Sequence, residues 1–195
     1  MSLDSMRLLF ALLALAANAA FVVGIVVLVG SRYSSGLASF RTTLEASFGG
    51  RELWFAFVVA LTATLGSLYF SEIANFEPCR LCWYQRIAMY PLVPVLAAGA
   101  WLKDRNITWY SIPLAVIGAG IAAWHYTLQR FPDLSSGSCS IDVPCNSAYV
   151  WEFDFVSIPY MALSGFALIL LLVVASRSNP SNEHDPTTDE NVGSR

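Results

Sequence analysis

Five continuously apolar runs, at 8–29, 53–71, 83–102, 107–128 and 158–175, punctuate this chain. A hydrocarbon core about 30 Å thick takes roughly 20 residues of helix, and each run meets or nearly meets that length. Apolar residues within the runs do not alternate with polar ones, so the strands of a membrane barrel are excluded. Backbone groups in lipid must be satisfied within their own segment, which makes the runs helices. The polar stretches between them are 30–52, 72–82, 103–106 and 129–157. The first holds a weak helical pattern over 37–48. Residues 176–195 are Ser, Asn, Pro, Thr and acids with almost nothing to bury, and read as a disordered tail. The only internal likeness is between two helical hairpins, each with cysteines at its turn.

Composition supports a membrane protein. Of 195 residues, 56% are hydrophobic and 13% charged, and mean hydropathy is +0.56, outside the usual soluble range. The net charge of −3 offers nothing to a nucleic acid and owes much to Glu183, Asp185, Asp189 and Glu190 in the tail.

Alternate threading of five helices places 72–82 and 129–157 on one side. That side carries Arg7, Arg80, Arg86 and Arg130; the other carries Arg32, Arg41, Arg51, Lys103, Arg105, Arg177 and Arg195. Positive charge marks the cytoplasmic side, so the cysteine side is expected outside, where disulfides persist. Trp54, Trp101, Trp109 and Tyr110 fall at the expected inner interface, and Tyr69, Trp83, Tyr84, Trp124 and Tyr126 at the outer one. Residues 1–7 followed by an apolar run also have the outline of a signal peptide. The run is longer than a signal core, and its removal would reverse the charge bias. The first segment is therefore read as a retained helix with its N-terminus outside, at the cost of leaving Arg7 there.

All four cysteines lie in the two outer segments: Cys79 and Cys82 as Cys-x-x-Cys, and Cys139 and Cys145 in a longer, turn-rich loop. A helix N-terminus and a nearby cation favour thiolate. Cys82 begins a helix, and Arg86 follows one turn later on the same face. Arg86 is thus expected to stabilise a Cys82 thiolate and to meet a polar oxygen of a membrane-soluble acceptor, although snorkelling alone would also account for it. The loop around Cys139 and Cys145 is open enough for thiol exchange, while Asp142 between them disfavours a stabilised thiolate. Taken alone, either pair also reads as a static disulfide. The Cys-x-x-Cys also reads as half of a zinc site completed by Cys139, Cys145 or His125. Arg80 and Arg86 are poor company for a dication, and no metal is expected. His125 by itself reads as a hydrogen-bonded boundary residue, and His184 as solvated.

The segment Glu77-Pro78-Cys79-Arg80-Leu81-Cys82-Trp83-Tyr84-Gln85-Arg86 through Pro91 resembles the DsbB/BdbC family of membrane thiol oxidases. So do His125-Tyr126-Thr127-Leu128-Gln129-Arg130-Phe131-Pro132, and the later cysteine pair followed by Ile158-Pro159. The resemblance runs from about 53 to 175 and implies a four-helix transmembrane bundle, to which this chain adds an N-terminal transmembrane helix. It divides the chain into that helix (1–30), a cytoplasmic connector (31–52), a redox domain (53–176) and a cytoplasmic tail (177–195). It further implies a bacterial cytoplasmic-membrane oxidoreductase that reoxidises a soluble DsbA/BdbD-like thiol oxidase of thioredoxin fold. The acceptor implied is a quinone, ubiquinone or menaquinone. A periplasm kept oxidising by DsbA, DsbB and quinone is the known case of this system, so the quinone link comes with the resemblance and not from the residues. The implied sequence is attack on Cys139, exchange of Cys145 with Cys79, and delivery from Cys82 to a quinone held by Arg86, with His125 and Gln129 near the same site. The five-residue spacing of Cys139 and Cys145 matches the BdbC-like branch. A vitamin K epoxide reductase-like enzyme is the other quinone reading, but there the Cys-x-x-Cys follows the loop pair.

Overall fold

A computed structural model describes residues 3–134, 145 and 149–178. Cys139, Asp142, His184 and the expected tail from 179 onward lie outside them. Six α-helices follow in order: α1 (Leu3–Gly30), α2 (Ser35–Phe48), α3 (Glu52–Leu68), α4 (Arg80–Leu102), α5 (Thr108–Arg130) and α6 (Ile158–Ser178). The described residues contain no strand beyond an isolated bridge between Glu152 and Val156. This is an all-α membrane bundle.

Four helical stretches are long and apolar enough to cross a membrane: Leu3–Gly30, Glu52–Ile73, Thr108–Arg130 and Ile158–Arg177. The fifth expected span, α4, forms at 23 residues but is less apolar than these. Arg80, Gln85, Arg86, Pro91 and Pro94 lower its hydropathy. Its neighbours supply the burial that its composition lacks: Gln85, Ala88, Met89, Leu92 and Leu96 all face inward. The connector helix is fuller than its sequence pattern implied. Within α2 the hydroxyls of Thr42, Thr43 and Ser47 donate to carbonyls one turn back.

Helices α3, α4, α5 and α6 pack in a closed ring, each on the next and α6 on α3. Small residues at the contacts (Ala56, Ala60, Ala88, Ala115, Ala122) let the backbones approach, the means by which helices associate where lipid removes the hydrophobic drive. Gly118 of α5 faces the Phe166 ring of α6, where a Cβ would collide with it. α1 lies outside the ring along α6. Its Asn18 amide donates to both the Tyr160 hydroxyl and Ser164 Oγ, each at 2.9 Å.

The α4–α5 turn is tight because Lys103 takes a left-handed conformation (φ 53°) and Asp104 N–H returns to the Gly99 carbonyl at 3.1 Å. At the opposite end, α3 widens into a π turn, Tyr69–Ile73, before the first cysteine segment. There the segment after α5 folds back through the Glu152–Val156 bridge, and the Tyr126 hydroxyl donates to the Phe155 carbonyl at 3.1 Å. Both cysteine segments therefore meet at one end of the bundle. The α1 N-terminus reaches the same end, with Arg7 over the Phe76 ring.

Candidate functional site

Cys79 is extended (φ −65°, ψ 171°) and is the N-cap of α4. Cys82 falls in the first turn, so the two sulfurs come to 3.1 Å. Both are free thiols. Cys145 is buried and disulfide-bonded. Cys79, Leu81, Leu128 and Cys145 form one buried cluster, against which Cys82 packs. The tertiary fold therefore joins the second cysteine segment to the first.

His125 of α5 stands at that junction, 2% exposed. Its Nε2 lies 3.0 Å from the Cys145 carbonyl and 3.6 Å from Cys79 Sγ. Its Nδ1 lies 2.9 Å from Nε2 of Gln85, which is also buried. With the Gln85 amide donating to Nδ1, the imidazole proton sits on Nε2 and is shared between the Cys145 carbonyl and the Cys79 sulfur. The Cys79 thiol is lowered from 9.0 to about 4. The hydrogen bond from Cys82 is the largest cause, and the hydrogen bond from His125 adds to it against the opposing effect of burial. The sequence expectation set a stabilised thiolate on Cys82 beside Arg86; the imidazole contact falls on Cys79. The helix begins at Arg80, so Cys79 rather than Cys82 holds the N-cap, and the histidine approaches from the Cys79 side.

Arg86 does not lie free at a lipid interface. Its Nε donates to Ser67 Oγ at 3.0 Å and its Nη2 to the Ser67 carbonyl at 3.1 Å. Its guanidinium also covers the Trp83 ring at 5.3 Å. Ser67 lies just before the π turn of α3, a kind of irregularity that recurs at functional sites. Arg86, Ser67, Cys82 and Gln85 line a cavity of about 440 Å³, otherwise mostly apolar, walled by α1, α3, α4 and α6. Of the three expected acceptor residues, only Arg86 lines it. His125 and Gln129 line a much smaller cavity on the other side of the cysteine pair, with Tyr149 and Pro159. α5 faces α4 from the side away from α3, and that sets their place. Gln85 touches both sides: it lines the larger cavity and holds His125.

The donor atoms of Cys79, Cys82 and His125 all lie within 4.8 Å of one another. No fourth Cys, His or carboxylate joins them among the described residues, and Cys139, one ligand that could complete a zinc site, lies outside these. Sequence reasoning missed Gln85 and Ser67. Helix phase offered a signal for Gln85, three residues after Cys82. Nothing in the sequence pairs Ser67 with Arg86, nineteen positions away.

A family model described as Disulfide bond formation protein DsbB matches residues 50–176. The chain belongs to the DsbB family. Disulfide bond formation protein C of Bacillus subtilis (strain 168) is 45% identical over 108 residues, covering 55% of this chain and 78% of the relative. Probable disulfide formation protein C 2 of Bacillus anthracis is 44% identical over 99 residues, 51% of this chain and 71% of the relative. Probable disulfide formation protein C 1 of Bacillus cereus (strain ATCC 10987 / NRS 248) is 50% identical over 96 residues, 49% of this chain and 69% of the relative. No solved structure matches the chain significantly. As a DsbB-family member the chain is a multi-pass membrane oxidoreductase of disulfide formation. α1 and α2 precede the family match.

Proposed function

We propose that this chain reoxidises a soluble DsbA/BdbD-like thiol oxidase and passes the electrons to a membrane quinone, ubiquinone or menaquinone. One observation carries the reading: the Cys79–Cys82 pair stands between the Cys145 segment and the cavity that holds Arg86. In this reading 53–176 is the redox domain, with its cysteine end outside the cytoplasmic membrane, the N-terminus on that side, and the 31–52 connector and 177–195 tail in the cytoplasm.

The partner's thiolate attacks Cys139 of a Cys139–Cys145 disulfide and releases the Cys145 thiolate. Cys145 attacks Cys79 of an oxidised Cys79–Cys82 pair and releases Cys82. The partner's second thiol resolves the mixed disulfide at Cys139 and leaves oxidised. Cys139 then attacks Cys145, which restores the loop disulfide and frees Cys79. Two electrons and two protons have moved from the partner's dithiol to Cys79 and Cys82. His125 stabilises Cys79 as the leaving thiolate and holds the Cys145 backbone beside it.

The larger cavity suits a quinone: apolar walls for a ring, one fixed cation for an oxygen gaining negative charge, and Cys82 in the wall. A quinone held there by Arg86 would supply the two-electron, two-proton acceptor through which the Cys79–Cys82 disulfide is restored. Ser67 keeps the Arg86 guanidinium in place for that oxygen, and the apolar walls exclude water. The test is quinone reduction by purified protein with a reduced thioredoxin-fold partner. Wild-type turnover that is lost in both Cys79→Ser and Cys82→Ser is expected; normal turnover in either variant would overturn the reading.

A further inference from the structure

The larger cavity has a wall that the family match does not contain. Phe10, Leu13, Ala14 and Ala17 of α1 line it, and they fall on one helical face at i, i+3, i+4 and i+7. Across from them stand Val59, Thr62, Ala63 and Gly66 of α3. Ala162 and Gly165 of α6 form the floor between. Cys82 and Arg86 line the same space. From Phe10 to Ala17 the helix rises ~10 Å, so the groove is about two turns long.

α1 is pinned on both sides of this groove. Toward the cysteine end, the Phe10 ring sits against Gly66, where a Cβ would come within 2.6 Å of it, and meets Phe70 at 5.4 Å. Arg7 covers the Phe76 ring, which stacks on Tyr149 at 4.9 Å. Beyond the groove, Asn18 is bonded to Tyr160 and Ser164 of α6. Between these anchors Ala14 and Ala17 turn small side chains to the cavity beside Leu13. A helix serving only as an anchor needs neither the two polar bonds in lipid nor this gap.

We propose that α1 is the outer wall of the acceptor site and that Ala14 and Ala17 set the width of the groove that takes the acceptor's isoprenoid tail. The inference rests on the quinone reading above. Without α1 the site would be a furrow on the α3–α6 surface, open to any acyl chain along its length. With α1 in place, the furrow is a cleft that admits a slim branched chain and holds the ring end toward Arg86 and Cys82. Tail discrimination is thus a property of residues that precede the redox bundle.

The test uses the full chain in lipid nanodiscs, driven by a reduced thioredoxin-fold partner, with two acceptors: a tailless benzoquinone and one bearing a polyprenyl tail. Ala14→Leu and Ala17→Leu are expected to raise KM for the tailed acceptor by roughly tenfold more than for the tailless one, since a few methylenes in a pocket discriminate by that order. Equal changes for both acceptors, or no change for either, would overturn the proposal. Photo-crosslinking of the wild type removes any dependence on how the variants fold. A quinone carrying a diazirine on its tail is expected to label residues 10–17, and labelling confined to α3, α6 or lipid would overturn the inference. A wild type that reduces neither acceptor would overturn the quinone reading itself, an outcome separate from any loss of tail discrimination.

Discussion

The Sγ of Cys79 lies 3.6 Å from Nε2 of His125, and the same nitrogen lies 3.0 Å from the Cys145 carbonyl. One imidazole edge thus serves the sulfur of one pair and the backbone of the other. A group at that point lowers the cost of a thiolate on Cys79 and holds the Cys145 segment beside it.

The pH dependence of Cys79 follows from that contact. Its thiol is lowered from 9.0 to about 4, so the reduced folded protein carries a thiolate there across the interval. A depressed pKa stabilises the folded reduced state. The contribution is complete above 9.0 and declines as pH falls, vanishing below about 4. The ultraviolet absorbance of a thiolate should therefore persist at about pH 6, where an ordinary thiol is protonated. His125→Ala should weaken that absorbance at the same pH, as read by a pH titration of the reduced protein.

Gln85 sets which imidazole nitrogen carries the proton, through its 2.9 Å contact with Nδ1. Gln85→Glu turns that partner into an acceptor, moves the proton to Nδ1 and leaves the Cys145 carbonyl without its donor. The variant should slow exchange between the two pairs while quinone KM changes little. Gln85→Leu should cost about 1–3 kcal/mol in thermal unfolding, because it strands a buried imidazole nitrogen. Stopped-flow measurement of interpair exchange beside a melting curve distinguishes the two effects.

Arg86→Lys preserves charge but not geometry. A lysine cannot hold Ser67 Oγ and the Ser67 carbonyl together while facing the cavity, as the guanidinium does. Quinone KM should rise by roughly tenfold with little effect on thiol exchange with the partner. Steady-state kinetics with each substrate varied in turn checks the split.

Gly118→Ala places a methyl against the Phe166 ring. Overpacking of this kind costs about 1–3 kcal/mol. Phe166→Leu should lose stability alone, yet recover part of the loss when combined with Gly118→Ala. Purely additive melting shifts in the double variant would show that the two residues do not couple.

How much of the site was legible differs from residue to residue. Cys79, Cys82 and Arg86 could be singled out because one helix carries them, and helix phase is a local property. The same logic put Cys82 and Arg86 on one face of α4, and both line one cavity; it drew no contact to Cys79, beside which the imidazole of His125 stands. Which cysteine is the N-cap depends on where the helix starts, and which one meets a base depends on His125 of α5, 46 positions after Cys79. Ser67 of α3 holds the Arg86 guanidinium, and no local pattern around Arg86 points to it. α4 was read as an ordinary span, although much of its inward burial comes from the helices around it.

The sequence by itself determined the helical segments, their membrane character and the chemistry carried by each cysteine segment. Length of apolar run, charge placement and i,i+4 spacing are set by neighbours in the chain. Tertiary structure alone decided that Cys145 and Cys79 share His125, that Gln85 stands between two cavities, and that α1 walls the larger one. These depend on the rotation and depth at which whole helices meet. Packing at residues such as Gly66, Gly118 and Asn18 sets that geometry, and the order of residues along the chain does not encode it locally.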